Sequence, residues 1–205
     1  MDDLPAEDSA LLMILAGPAG SGKTTLCERM VDENERIERV VTSTTRTPRE
    51  GERNGVDYYF FSNDEFDAKI EEGAFLEWAK VHTNRYGTLK SIIEGKLSER
   101  IDLVMNIDVQ GVASVRKAAK AHPSIDSRLV TVFIMPADFE ELRQRLRGRG
   151  QDDEAEIERR IVSAEREVKE WRNYDYVIRS HSKDEDYAAI RSIWQAEKRR
   201  ASRLG

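Results

Sequence analysis

Eight residues, Gly17-Pro18-Ala19-Gly20-Ser21-Gly22-Lys23-Thr24, fill every fixed position of the phosphate-loop pattern G-x-x-x-x-G-K-[ST]. The residue types explain the chemistry. Glycines let the backbone curl so that successive N–H groups converge on phosphate oxygens. The lysine brings a full positive charge to the β- and γ-phosphates, and the hydroxyl after it can ligate Mg²⁺. A helix opening at this point adds the partial positive charge of its N-terminus. The alternative is a glycine-rich strand-to-helix turn that holds no ligand. The flanking sequence argues against it. Leu11-Leu12-Met13-Ile14-Leu15-Ala16 is wholly apolar, as in a strand buried on both faces. Beyond the lysine, Leu26, Met30 and Val31 recur at helical spacing. The stretch therefore implies a nucleoside triphosphate site, without saying what is done with the triphosphate.

The rest of the chain must position that loop. Its 205 residues suffice for one α/β domain with insertions, and 39% hydrophobic residues can build a core. A net charge of −6 argues against a general nucleic-acid binder but leaves room for a local basic pocket. The one cysteine, Cys27, cannot form a disulfide within the chain and suits a reducing compartment. His82, His122 and His181 are far apart and show no ligand spacing, so no structural zinc site is read. Residues 1–9 are acidic, unlike a signal sequence, and read as a disordered tail. No apolar run approaches membrane-spanning length, so no membrane is expected and the location is read as cytoplasmic.

In chain order, Ile37 to Val41 reads as a second strand. Tyr58 to Phe61 reads as a short aromatic strand after an Asn54-Gly55 turn. Ser62 and Glu65 stand at capping-box spacing, opening a helix with Phe66, Ile70 and the Lys69 stem inward and Gly73 at its end. Phe75 to Val81 alternates as a strand, which predicts Phe75, Glu77 and Ala79 on one face. Tyr86-Gly87-Thr88 reads as a turn into a helix over Leu89 to Glu99. The core pattern then resumes: a strand over Leu103 to Asp108, a helix over Val112 to Ala121, and a strand over Leu129 to Met135. A helix capped near Asp138 runs to Leu146, a glycine-arginine loop follows, and a charged helix covers Glu154 to Glu170. A short strand, Tyr176 to Ile178, and a helix over Asp184 to Arg199 close the pattern. Strands alternating with helices imply a parallel sheet.

Six stretches in order behind the loop carry a resemblance. They are Thr44-Thr45-Arg46-Thr47-Pro48-Arg49, Gly55-Val56-Asp57-Tyr58, Phe75-Leu76-Glu77-Trp78, Tyr86-Gly87-Thr88, Ile107-Asp108-Val109-Gln110-Gly111 and Arg145-Leu146-Arg147-Gly148-Arg149-Gly150. Over about residues 10 to 197 the chain resembles the guanylate kinase family. The resemblance implies transfer of the ATP γ-phosphate to GMP (and dGMP) with Mg²⁺. It also implies an α/β P-loop three-layer fold with a five-stranded parallel core sheet, an inserted mixed α+β GMP-binding subdomain and an arginine lid. The expected division is a core of residues 10–42, 89–146 and 171–205, an insert of 43–88, and a lid with its adjacent helix at 147–170.

Carried onto this sequence, the implied ATP contacts are Gly17, Pro18, Ala19, Gly20, Ser21, Gly22, Lys23, Thr24 and Thr25, with Thr24 on the metal. Arg46 and Arg49 suit a monophosphate, because the guanidinium fork matches phosphate oxygens, and Tyr58 and Tyr86 add phenolic hydrogen bonds. Without the resemblance, two arginines beside a proline read as a solvated loop. Guanine presents N1–H and a 2-amino group as donors, which suit the Glu77 carboxylate. Thr42 and Thr88 sit where the family places hydroxyls for O6, and Asp108 can accept from the 2-amino group. Without the resemblance, Glu77 is an exposed strand carboxylate. Arg145, Arg149 and Arg160 match the family's lid arginines, which stabilise the transferring phosphoryl group and exclude water. Read alone, they belong to a solvated helix face.

Two positions depart from the family: Asn106 stands where an aspartate is usual, and Ser180 where asparagine is frequent on the adenine side. Two other readings compete. A scaffold-type guanylate-kinase-like module that binds phosphopeptides typically lacks the loop lysine and lid arginines, which this chain keeps. A related kinase with another acceptor would lack a reason for Glu77 beside Thr42, Thr88 and Asp108. The expected partners are GMP and ATP, with a monomer or homodimer as the assembly.

Overall fold

The computed structural model describes residues 9–81, 83–148, 150 and 153–204. Arg149, expected in the lid, and residues 1–8 of the expected tail lie outside the described residues. Strand β1 (Leu12–Ala16) leads through the glycine loop into α1 (Lys23–Asp32), followed by β2 (Ile37–Arg39). Next come β3 (Ser43–Thr44), β4 (Tyr59–Phe60), α2 (Asn63–Glu71), β5 (Phe75–Val81) and β6 (Asn84–Leu89). The chain continues with α3 (Lys90–Ser98), β7 (Asp102–Asn106), α4 (Val109–Ala119), the short α5 (Pro123–Asp126) and β8 (Leu129–Met135). Helices α6 (Phe139–Gly148) and α7 (Glu154–Glu167), a 3₁₀ segment (Val168–Asn173), β9 (Tyr176–Arg179) and α8 (Lys183–Lys198) complete it.

Five strands form one parallel sheet in the order β2-β7-β1-β8-β9. Strand β1 is apolar throughout because both of its faces are covered. Leu12, Ile14 and Ala16 join Leu103, Met105, Ile93, Leu97, Val112 and Val115 on one side. Leu11, Met13 and Leu15 join Leu26, Met30, Val132, Ile134, Tyr187 and Ile190 on the other. Cys27 lies in this second layer, and burial pushes its thiol up to about 12, so it packs as a small apolar group. At the start of β7, Asp102 accepts from the Leu11 N–H at 2.7 Å, the Trp194 indole at 2.8 Å and the Lys198 ammonium at 2.9 Å.

A second sheet of four strands, β4-β3-β6-β5, stands apart from the first. Helix α2 starts with the capping box expected from Ser62 and Glu65. Its Phe66 stacks on Phe75, 4.4 Å between ring centroids, in a small core with Leu89. Two expectations fail in this sheet. Residues 86–88 are strand, not turn. Gly87 is needed there for close approach: a Cβ would lie 2.9 Å from Phe75 and 3.0 Å from Trp78. Phe75 and Glu77 also do not share a face. A bulge between them shifts the register, so Phe75 meets Phe66 while Leu76 enters the main core. Elsewhere the short helix α5 is added, with Pro123 in its first turn, and the other differences are of boundary. Helix α4 begins at Val109, because Asp108 caps it by accepting the Gly111 N–H, and α7 tightens into the 3₁₀ segment after Glu167.

Helices α6 and α7 pack on each other through Leu142, Leu146, Ile157, Ile161 and Ala164, with Ala19 of the glycine loop against them. The loop and the paired helices therefore share one apolar contact.

Candidate active site

The glycine loop sits at the C-terminal end of β1, the end at which open α/β sheets bind ligands. Gly17, Gly20 and Gly22 adopt φ of 139°, 87° and 94°, values that side chains resist. At Gly17 a Cβ would stand 2.4 Å from the Ile134 carbonyl oxygen, so only glycine fits. Gly22 precedes α1, and no side chain caps that helix. The Lys23 ammonium donates to the carbonyls of Gly17 and Pro18 at 2.6 and 2.7 Å, curled across the loop. The Ser21 hydroxyl is buried with no hydrogen-bond partner among the described residues. Uncapped amides, a cation and an orphaned hydroxyl in one concave loop fit a polyphosphate. The side chains of Thr24 and Thr25 are exposed, and the Asn106 amide lies 3.4 Å from the Thr24 hydroxyl. Among the described residues no three His, Cys, Asp or Glu side chains gather as a metal cage. This donor set suits Mg²⁺, which keeps waters and phosphate oxygens as most of its ligands.

Beside the loop lies a cavity of about 540 Å³, lined by Gly20, Gly22, Thr25, Arg29, Arg145 and Asp186 among others. Arg145 reaches it from α6, paired with Glu141 at 2.5 Å and touching the Ser180 hydroxyl at 3.5 Å. Ser180 is fully buried and donates to Asp186 at 2.6 Å. Arg160 is on α7, 3.3 Å from Glu156 of its own helix.

Across the cleft, the second sheet carries the other candidates. Arg46 follows β3, where Thr44 accepts its backbone N–H. Its guanidinium lies over the rings of Tyr58 and Phe60 at 5.4 and 5.9 Å, and Tyr58 meets Tyr86 edge-on at 6.2 Å. Arg49 is exposed in the loop that follows. The bulge in β5 places Glu77 opposite Thr88, whose buried hydroxyl donates to the carboxylate at 2.7 Å. Burial pushes the Glu77 carboxyl up, the Thr88 hydrogen bond pulls it down, and the Asp108 charge pushes it up again. Asp108 thus serves both as the α4 cap and as a charge beside Glu77. Thr42 is half-buried, with its carbonyl accepting from the Tyr59 N–H.

Two groups escape a reading of the sequence. Glu52 pairs with Arg46 at 2.7 Å, and the only local signal is its spacing of three from Arg49. Ser43 buries its hydroxyl without a partner among the described residues. The preceding run of hydroxyl residues marks the region but not that atom.

A parallel sheet feeding a phosphate-binding glycine loop, with cationic side chains approaching from both flanks, defines a P-loop nucleotide phosphotransferase fold. The guanylate kinase sequence profile matches residues 9–197. A guanylate kinase from Hydrogenovibrio crunogenus is 41% identical over 187 residues, 91% of this chain and 88% of its own. One from Geobacter sulfurreducens is 40% identical over 194 residues, 95% and 92% of the two chains. The crystal structure of guanylate kinase from Anaplasma phagocytophilum superposes with a TM-score of 0.71 at 28% identity, covering 97% of this chain and 91% of that one. The chain belongs to the guanylate kinase family.

Proposed function

We infer that this protein is a nucleoside monophosphate kinase that transfers the ATP γ-phosphate to GMP, with Mg²⁺ as its ion. The observation that carries the acceptor assignment is Glu77, a half-buried strand carboxylate held by Thr88 near Asp108. An ionised carboxylate accepts from both guanine donors, whereas adenine would leave it short of donors and present an amino group to the hydroxyls. Thr42 and Thr88 are the hydroxyls we assign to the O6 side. Arg46, Arg49, Tyr58 and Tyr86 are assigned to the GMP phosphate, supported by the cation-and-aromatic cluster that Arg46, Tyr58 and Tyr86 form.

Mg²⁺ supplies charge neutralisation across the triphosphate. Residues 17–25 cradle the phosphates, and Thr24 is the proposed metal ligand. Lys23, curled on the loop carbonyls, would turn its charge onto the γ-phosphate. Arg145, Arg149 and Arg160 are assigned to the lid, where their charge meets the spread charge of the transition state. We take residues 43–88 as the GMP-binding insert, 147–170 as the lid with its adjacent helix, and 10–42, 89–146 and 171–205 as the core. Closure of both flanks excludes the water that would otherwise hydrolyse ATP. The acidic net charge supports small-molecule partners rather than nucleic acid. No helix among the described residues is long and apolar enough to cross a membrane, and a cytoplasmic location as monomer or homodimer belongs to the same proposal. A coupled ADP-release assay with GMP, dGMP, AMP, CMP and UMP tests the reading. GMP and dGMP should turn over far faster than the rest, and comparable turnover with AMP would remove the roles given to Glu77 and Asp108.

A further inference from the structure

We propose that Glu52 is the positioning residue of the acceptor-phosphate clamp: one carboxylate fixes Arg46 by its side chain and Arg49 by its backbone. The proposal rests on the reading of those arginines as the GMP phosphate site.

The geometry is specific. Oε1 of Glu52 pairs with Nη2 of Arg46 at 2.7 Å, and Oε2 accepts the Arg49 N–H, also at 2.7 Å. The Glu52 N–H in turn donates to the Arg49 carbonyl at 3.1 Å, closing the turn in both directions. Gly51, at φ 85°, provides the reversal that points Glu52 back into the loop. The pair is well sheltered, with side-chain exposures of 15% for Arg46 and 19% for Glu52. Arg46 donates besides to the Thr47 carbonyl at 2.9 Å and lies over two aromatic rings. Its plane is therefore set from three sides. A guanidinium has five N–H donors, so these contacts leave others to meet a phosphate. The hydrogen bonds from the Arg46 side chain and the Arg49 N–H hold the Glu52 carboxyl below the usual range, so this arrangement persists at neutral pH.

Two effects of Glu52 oppose each other. Its negative charge weakens the attraction of the loop for a dianionic phosphate. Its hydrogen bonds hold the Arg46 cation and the backbone that carries Arg49 in a prepaid geometry, so phosphate binding needs less ordering. In a half-buried contact whose two carboxylate oxygens bridge Arg46 and the Arg49 N–H, the geometric effect wins, because arginine recognises phosphate by alignment of its fork. A glutamine at position 52 would keep the shape but direct an amide donor at one of its two N–H partners.

The test measures steady-state kinetics of Glu52→Gln, Glu52→Asp, Arg46→Ala and the double variant Glu52→Gln/Arg46→Ala. The Glu52→Gln loss should fall on the KM for GMP, about tenfold upward, rather than on kcat or the KM for ATP. Glu52→Asp, one methylene shorter, should lie between, and stands in if the glutamine variant fails to fold. The Glu52→Gln effect should shrink in the Arg46→Ala background, since both act on one clamp. Guanosine, which has the base but no phosphate, should keep its inhibition constant in every Glu52 variant. A merely structural role would weaken guanosine too, and that result overturns the proposal. An unchanged or lowered GMP KM in Glu52→Gln, with Arg46→Ala still raising it, overturns it as well. If Arg46→Ala itself leaves the GMP KM unchanged, the clamp reading fails first, a pattern distinct from either.

Discussion

The guanine role proposed for Glu77 and its effect on folding oppose each other. Burial raises its carboxyl, so the folded protein holds that proton more tightly than the unfolded chain. Its contribution to stability is therefore full below the unfolded value and is lost as pH rises through the folded one. At neutral pH the ionised carboxylate opposes folding, and Glu77→Gln should melt at or above the temperature of the parent, with the difference vanishing in acid. On the proposed guanine role, the same substitution should lower kcat/KM for GMP by about 10–100-fold. Calorimetry against pH and substrate kinetics read the two effects separately. In the unaltered enzyme the KM for GMP should climb on acidification while pH is still above the ordinary carboxylate range. Asn106 poses a simpler question. Its amide stands 3.4 Å from the Thr24 hydroxyl, where Mg²⁺-bound waters are expected. Asn106→Asp adds a negative charge there and should lower half-saturating Mg²⁺ by about tenfold. A Mg²⁺ titration at saturating nucleotides that gives the same midpoint for both proteins would leave position 106 as packing only.

Among the elements, β6 shows how little room the second sheet has. Gly87→Ala would drive a methyl against Phe75, Trp78 and the Glu77 carbonyl, all within 3.1 Å. The expected cost is about 1–3 kcal/mol, seen as a lower melting temperature. The KM for GMP should also rise, because β5 carries Glu77 and must move. This strand also shows where the sequence was readable. The glycine loop and β1 were legible because a fixed motif and a continuous apolar run are local signals. The cap of α2 was equally local. The strands β3 and β4 are two residues each, and only their partners make them strands. Gly87 looked like a turn because glycine marks turns and close approaches alike. The bulge in β5 depends on pairing with β6, so simple alternation put Phe75 on the wrong face. Glu52 was one carboxylate among several in a charged loop, and only the fold selects it.

For the whole molecule, the second sheet and the α6–α7 pair stand on opposite flanks of the glycine loop. Each has a small apolar cluster, tied to the core through Leu76 and Ala19 respectively, and the proposed closure would move each as a body. Arg145 and Arg160 both have glutamate partners on their own helices, which the proposed lid role would require them to exchange for phosphate. GMP together with a non-hydrolysable ATP analogue should therefore compact the protein in solution scattering, more than either ligand alone. An unchanged radius of gyration would argue for a rigid, preformed site.

The carboxylate of Asp102 at the start of β7 bears on how the protein is made. The ribosome produces it early, and its partners Trp194 and Lys198 arrive 92 and 96 residues later. Until then Asp102 has only the Leu11 N–H of these three partners, and the layer on Met13 and Leu15 lacks Tyr187 and Ile190 of α8. A nascent chain lacking α8 should thus leave that face of the sheet open until the last helix closes over the first strand. Chains arrested on the ribosome before Trp194 emerges should be cut readily by protease, and those arrested well beyond Lys198 should resist.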